Sequence, residues 1–592
     1  MASMDVERSS PAPPSCRQAG LVTIKKWQRI PCSMRRAWPA VCVVAATLLA
    51  VLVLSAARDG YGLPIVPSSW LSVEDVPPSN LTTDQLMDGL LTAEFGSRSC
   101  RSRYEFASYH DKKKKKKHTS HKPSPYLLAK LRSHEALQKQ CGPGTAPYRA
   151  AIRQLKSGNG IVTADSENCR YLVPISYRGL GNRMLSTVSA FLYAVLTQRT
   201  LLVQHDMAAL FCEPFPGTTW LLPSSGCRFT DDTLRQPLDA TGQHCYTVRF
   251  ECRAHIVHET SCVWQFRLKK YGKDSKESLG NMLKANVVSV GDNGNASWSD
   301  SDRPPYVYLH LDGGYGFYDK LFYCDEQQRL IRGAPWLLMR TDSYLVPGLF
   351  LIPSFRDELE RMFPDKDVAF HHLGRYLFHP ANDVWRAVTR YYDAHLAGAG
   401  QRVGIQIRVF TQNKPLQKVL DQVLSCVRRE KLLLPSIQMN NASVLVTSLS
   451  SWYYERIKAE YGGSRVHQPS HEGWQKMRDA SQDRKALSEM YLLSTCDVLV
   501  TTGFSTFGYV AQGLGGILSW IMPATPFWST ETGVVPDPPC MRAMSVEPCF
   551  HSPSNYDCAA RKDVDVGTLV PYIRHCEDAS WGIKIANESS HR

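Results

Sequence analysis

The stretch Cys496–Trp520, CDVLVTTGFSTFGYVAQGLGGILSW, constrains this chain more than any other. An aspartate precedes Val498, Leu499 and Val500, two threonines and a glycine follow, and a Ser-Thr pair opens an apolar helical pattern. That order predicts strand, tight loop, helix. Gly503 lets the backbone turn sharply, Ser505 and Thr506 can cap the helix with Phe507 in its first turn, and the helix N-terminus offers unpaired N–H groups to an anion such as a nucleotide pyrophosphate. The same pattern also serves an ordinary β-to-α connection, so the rest of the chain has to decide between them.

The 592 residues suffice for two or more domains with their own cores, and 43% apolar content is that of a globular protein. The net charge of +14 does not form a nucleic-acid face, and no nucleic-acid partner is expected: part of it precedes an apolar run, and six lysines form one block, Lys112–Lys117. That block reads as a solvated loop. The run Ala37–Ala57 holds 21 residues without a charge, enough helix to cross a bilayer core of about 30 Å. Arg8, Arg17, Lys25, Lys26, Arg29, Arg35 and Arg36 precede it while Arg58 stands alone behind it, which leaves the N-terminus cytosolic. Its length and late start argue against a cleaved signal peptide. Of the 18 cysteines, Cys16, Cys32 and Cys42 lie before or within the run; the remaining 18 − 3 = 15 suit an oxidising compartment and leave at least one unpaired. Four glycosylation sequons, at Asn80, Asn295, Asn441 and Asn587, all fall on the same far side.

The expected organisation is a cytosolic tail (1–36), a transmembrane helix (37–57), a stem with the basic insertion (58–125), and two α/β domains (126–354 and 355–592), the second ending in a disulfide-dense segment. Helical periodicity covers Tyr126–Gln140 and stops at Cys141-Gly142-Pro143. Next, Tyr171–Ser176 reads as a strand, Arg178-Gly179-Leu180-Gly181-Asn182-Arg183 as a glycine loop, Met184–Thr197 as a helix and Leu201–Gln204 as a strand, a βαβ unit without a full dinucleotide fingerprint. Asn182 and Arg183 at the helix start are candidate anion contacts, though a first-turn arginine also serves simply as surface. Asp300-Ser301-Asp302 matches the DxD pattern of metal-dependent sugar transferases, but it sits in a polar linker rather than at the end of a buried strand, so no metal is assigned to it. His371-His372 lacks the spacing and further ligands of a zinc site. Asp342 ends the strand Trp336–Thr341, where a carboxylate points into the cleft of an open sheet; it is a candidate base or substrate ligand, and equally a helix cap. Strand Val403–Arg408 ends in an arginine whose planar fork can grip phosphate. Helices over Phe355–Phe363, Val384–Ala397, Lys414–Glu430, Trp452–Tyr461 and Leu487–Thr495 alternate with strands Val403–Arg408, Val444–Thr447 and Val498–Val500.

The segments RGLGNRMLSTVSAFLYAVLTQRTLLV, HLGRYLFHP, VGIQIRVF and STCDVLVTTGFSTFGYVAQGLGG, in this order and spacing, resemble the successive motifs of the plant xyloglucan fucosyltransferase family over roughly residues 85–585. The Lys112–Lys117 block and the 265–300 region depart from the pattern, which bears on acceptor choice more than on chemistry. The resemblance implies a type II Golgi membrane enzyme of GT-B-like architecture, two Rossmann-like domains with the donor in the cleft, that moves L-fucose from GDP-β-L-fucose to a galactosyl residue as an α-1,2 link with inversion. It also implies that no divalent metal and no cofactor beyond the donor is needed, that Arg408 holds the donor diphosphate, and that Gly503, Ser505, Thr506 and Phe507 belong to the GDP loop. Asp342 matches the family's aspartate by position, and Asp578 is a second matching carboxylate. Without a metal, an arginine and helix N–H groups must stabilise the charge on departing GDP. If the transition state is strongly dissociative, Asp342 only orients the sugar. Expected partners are GDP-fucose, a galactosylated cell-wall polysaccharide or proteoglycan, and the Golgi membrane, with a homodimer left open. A different acceptor and a non-catalytic glycan-binding relative stand as the alternatives.

Overall fold

Strands that are apolar on both faces need helices above and below them, and the computed structural model arranges them as two parallel sheets so covered. It describes residues 87–92, 94–95, 100–106, 121–157, 169–223, 276–285, 289–290, 296–297, 304–313, 316–409, 415–433, 441–462, 465–470, 479–523 and 534–587. The run 37–57, the Lys112–Lys117 block, Asp300-Ser301-Asp302 and the sequons at Asn80 and Asn295 lie outside these residues. No helix among the described residues is long and apolar enough to cross a membrane.

The first half contains helix α1 (Pro125–Cys141), strand β1 (Tyr171–Ile175), helix α2 (Leu180–Thr197), and strands β2 (Thr200–Leu201), β3 (Val307–His310) and β4 (Trp336–Arg340). Its sheet runs β2-β1-β4-β3, all parallel. Helix α1 starts where Ser124 Oγ accepts the Leu127 N–H at 3.0 Å with proline at the first helical position. The second half contains helices α3 (Ala369–Leu377) and α4 (Asn382–His395), strands β5 (Gln401–Ile407), β6 (Ala442–Ser448) and β7 (Val466–His467), helix α5 (Ala480–Ser494), strand β8 (Val498–Thr502), helix α6 (Thr506–Gly515), and strands β9 (Trp520–Met522) and β10 (Met541–Arg542). Its sheet runs β10-β9-β8-β5-β6-β7, parallel except for β10.

Two helices begin a full turn or more before the periodicity predicts. Helix α2 starts at Leu180 instead of Met184, so the last four of the six residues of the expected glycine loop are its first turn. Helix α5 starts at Ala480 instead of Leu487, because Asp479 Oδ1 accepts the N–H groups of Ser481 and Gln482 at 3.0 Å while its first turns carry mainly polar residues that hide the 3.6-residue pattern. The His371-His372 segment, expected between two helices, is itself the buried helix α3.

One hydrophobic cluster runs from α2 through α3, α5 and α6, so the core lies between the sheets as well as under each. The boundary expected at 354/355 separates the two sheets in sequence, but the C-terminal segment returns to the first half: Cys558 is bonded to Cys324, and Tyr344 donates to Glu547 Oε2 at 2.5 Å. Further disulfides join Cys100 to Cys212, Cys141 to Cys169, Cys426 to Cys540 and Cys549 to Cys576, so all four cysteines of 540–576 are bonded, while buried Cys496 forms no disulfide.

Candidate active site

Helices α2 and α6 each follow a parallel strand, and their N-termini meet. A Cβ on Gly181 would lie 2.7 Å from Thr506 Oγ1, 2.9 Å from the Thr506 carbonyl carbon and 3.1 Å from the Phe507 nitrogen, so glycine here permits backbone-to-backbone approach and not the turn that its place in a glycine loop suggests. Thr506 Oγ1 donates to Asn182 Oδ1 at 3.2 Å, and Asn182 Nδ2 donates to the Asp342 carbonyl at 2.9 Å, which ties the two helix starts to the end of β4. Neither helix has a side-chain cap, at Gly179 for α2 or Ser505 for α6, and neither carries an acid in its first turn. By contrast α1 and α5 are capped by Ser124 and Asp479. Two adjacent uncapped N-termini leave several N–H donors and two positive dipole ends converging on one place, a setting suited to a diphosphate.

Arg408 directly follows β5, and its N–H donates to Thr502 Oγ1 at 2.9 Å, so it stands beside the β8–α6 loop. Burial lowers its pKa from the usual guanidinium range, a cost that an anion alongside would offset. The expected companions Arg408, Gly503, Ser505, Thr506, Phe507 and Asn182 therefore share one edge of the structure.

The residue that makes this loop turn is Phe504, with φ of 59°, and Gly503 does not adopt a positive φ. A left-handed non-glycine residue costs on the order of 1–3 kcal/mol and persists only where its surroundings hold it. Here the Phe504 N–H donates to Asp578 Oδ2 at 2.7 Å, and its ring stacks on Trp581 at 5.5 Å and lies 5.3 Å from His551. Tyr509 donates to the same Asp578 oxygen and sits 2.9 Å from His551 Nε2. Asp578 is thus the latch of the loop, a role that the sequence left undefined. Burial pushes the His551 pKa down, and burial followed by the charge of Asp578 pushes Tyr509 well up. Cys549, His551 and Asp578 lie close enough to hold a cation, but the Cys549 sulfur is committed to Cys576, which leaves too few ligands for a closed site.

At the opposite wall, Asp342 is buried and engaged at both oxygens. Oδ1 accepts Ser176 Oγ, the Tyr177 N–H at 2.9 Å and the Arg178 N–H at 3.3 Å, and Oδ2 accepts Arg340 Nη1 at 2.8 Å. It organises the β1–α2 turn. Arg340 also donates to Asp312 Oδ2 at 2.8 Å, and Asp312 Oδ1 accepts the Asp342 N–H at 2.9 Å. Burial and then the charge of Asp342 raise the Asp312 pKa from its ordinary value, the direction that suits a proton acceptor. Asp312 stands just past β3 as Asp342 does past β4; the strand-end rule that selected Asp342 would have found it.

Arg183 departs from its expected role. It is 4% exposed, with Nη1 on Asp206 at 2.9 Å and Nη2 on Asp483 at 2.6 Å, so its guanidinium pins α2 to α5 instead of facing an anion. His371 is likewise absorbed in packing, its Nδ1 on the Gly513 carbonyl at 2.8 Å, with burial pushing its pKa well down.

The model of one protein family, xyloglucan fucosyltransferase, matches residues 68–260 and 258–559. A galactoside 2-alpha-L-fucosyltransferase from Pisum sativum is 43% identical over 539 residues, 87% of this chain and 85% of that protein. One of the same name from Arabidopsis thaliana is 44% identical over 529 residues, 86% of this chain and 84% of that protein. Among solved structures, a point mutant of Arabidopsis thaliana FUT1 in complex with GDP is similar with a TM-score of 0.69 and 44% identity, over 85% of this chain and all of that one. A pair of parallel α/β sheets with an uncapped double helix terminus at one edge, and four motifs in family order, agree with that result: the chain belongs to the xyloglucan fucosyltransferase family.

Proposed function

We propose that this chain is an inverting fucosyltransferase that moves L-fucose from GDP-β-L-fucose to O2 of a galactosyl residue, on xyloglucan side chains in the Golgi lumen. The observation that carries the reading is the meeting of two uncapped helix N-termini beside Arg408, and relatives named as galactoside 2-fucosyltransferases support it. Donated N–H groups and the guanidinium hold the diphosphate and stabilise the charge that builds as the bond from fucose C1 to the β-phosphate oxygen breaks. Galactose O2 attacks C1 from the opposite face, so the β-linked donor gives an α-linked product. The bonding pair of the broken C1–O bond leaves with GDP, and the hydroxyl proton passes to Asp312, while Asp342 and Arg340 hold that carboxylate and the β1–α2 turn in place. Because these donors replace a cation, the reaction proceeds without divalent metal.

The test is an acceptor screen with the full chain in detergent, in EDTA. Galactosylated xyloglucan oligosaccharide is expected to be fucosylated in preference to arabinogalactan. Transfer to arabinogalactan alone would replace the acceptor, and failure to use GDP-fucose with any acceptor would overturn the reading.

A further inference from the structure

Among the described residues three large aromatic side chains are exposed, Tyr177, Phe317 and Trp581, and two of them touch residues of the proposed reaction site. Tyr177 follows β1 and lies under the Arg340 guanidinium at 4.5 Å, next to Asp312 and Asp342. Trp581, 58% exposed, has its inner face stacked on Phe504 of the donor loop. Phe317, 55% exposed, follows the β3 loop and meets Tyr556 edge-on at 5.7 Å. Gly313 of that β3 loop approaches Ser552, next to His551, whose ring lies 5.3 Å from the Phe504 ring on which Trp581 stacks.

Trp581 walls an open hollow of about 660 Å³ whose other lining groups include Asn555, Asp563, Asp565, His575 and Lys320. Lys320 pairs with Asp563 at 2.7 Å, and His575 Nε2 lies 2.9 Å from Asp565 Oδ2. With its lysine already paired to Asp563, the hollow does not favour an anionic ligand. It offers carboxylate oxygens with spare lone pairs, an amide and an indole face, which together match a pyranose ring: its C–H face stacks on the aromatic ring and its hydroxyls donate to the carboxylates.

We propose that the hollow beside Trp581 is a binding subsite for the neutral oligosaccharide acceptor, with Trp581 stacking on a sugar ring and Asn555, Asp563 and Asp565 taking its hydroxyls. This rests on the transferase reading and adds where the acceptor chain lies relative to the donor loop. Phe317 extends the same surface, so a longer acceptor gains contacts that a single galactoside lacks.

The experiment measures initial rates with the full chain in detergent, varying GDP-fucose and a galactosylated xyloglucan oligosaccharide in turn, for the wild type, Trp581→Ala, Trp581→Phe and Phe317→Ala. Trp581→Ala is expected to raise acceptor KM about tenfold or more, the loss of roughly one stacked ring, and to raise GDP-fucose KM by a clearly smaller factor because the same ring also packs on Phe504, whereas Phe317→Ala leaves GDP-fucose KM and acceptor-independent donor hydrolysis within about twofold of wild type. Trp581→Phe keeps most of the affinity, and Phe317→Ala raises KM for long acceptors more than for short ones. An unchanged acceptor KM, or a parallel loss of donor affinity in Trp581→Ala, overturns the subsite. If Trp581→Ala does not accumulate as folded protein, Trp581→Phe and Phe317→Ala decide: acceptor KM values equal to wild type in both overturn it. A wild-type chain that never uses GDP-fucose would instead bring down the transferase reading itself.

Discussion

Replacing Gly181 by alanine sets two physical effects against each other. In an exposed helix, glycine to alanine stabilises by about 1 kcal/mol through backbone entropy and propensity. At Gly181 the added methyl meets Thr506 Oγ1 at 2.7 Å, the Thr506 carbonyl carbon at 2.9 Å and the Phe507 nitrogen at 3.1 Å. Two of these are backbone atoms that cannot rotate away, so the two helix starts must separate, at the overpacking cost of about 1–3 kcal/mol. The net is a loss of about 0–2 kcal/mol, opposite in sign to the helix rule. The functional effect is larger, since the N–H groups aimed at the diphosphate move with the helices, and misplacement by a fraction of an ångström is expected to lower kcat/KM for GDP-fucose by about tenfold or more. Differential scanning fluorimetry and donor kinetics measure both, with Gly398→Ala as control because a methyl there meets nothing within 4 Å. A Gly181→Ala protein as stable as Gly398→Ala and fully active would refute the converging-termini account.

Arg408→Ala is expected to lower kcat by about 10²–10³ with an unchanged thermal midpoint, because one preorganised charge donor is lost without emptying a core site; steady-state kinetics alongside fluorimetry checks it. Asp578→Asn weakens the hold on Phe504, so GDP affinity by calorimetry should fall, Phe504→Leu should lower it too, and the double variant should lose less than the sum. For Asp312, the raised pKa means that its proton-accepting carboxylate form is reached only at a pH above the ordinary carboxylate value. The rate should therefore climb with pH through that region, and Asp312→Asn should flatten this limb of the kcat profile. Burial pushes Glu547 up to about 8, above its unfolded value of roughly 4.3, so between these values the folded chain holds a proton that the unfolded chain releases. Stability falls as pH rises through that window, and Glu547→Gln should remove that part of the fall in melting temperature measured from pH 5 to 8.

Much of the second half was legible because its strands are near-continuous apolar runs closed by Arg408, Ser448 and Gly503, and parallel sheets announce themselves that way. The donor loop was placed for the same reason. Its strain was assigned to the wrong residue: glycine is the usual left-handed position, and only the Asp578 carboxylate, 74 residues away, explains why Phe504 takes it. Arg183 looked like an anion ligand at a helix start, but Asp206 and Asp483 claim it, and a pairing across 300 residues leaves no local trace. Gly181 is the same lesson, since a glycine required by another helix is indistinguishable in sequence from one required by a turn. Asp312 was the one omission within reach, as its strand ends in an aspartate just as that of Asp342 does.

The claim that two helix N-termini and Arg408 do the work of a metal is tested most directly by single-turnover transfer from GDP-β-L-fucose to a galactosylated oligosaccharide, with chelator present and the product linkage read by NMR. The account predicts an α-1,2-fucosylated galactose at a rate that EDTA does not change and that Arg408→Ala lowers by about 10²–10³. A rate abolished by EDTA and restored by Mn²⁺, or a product of retained β configuration, would contradict it.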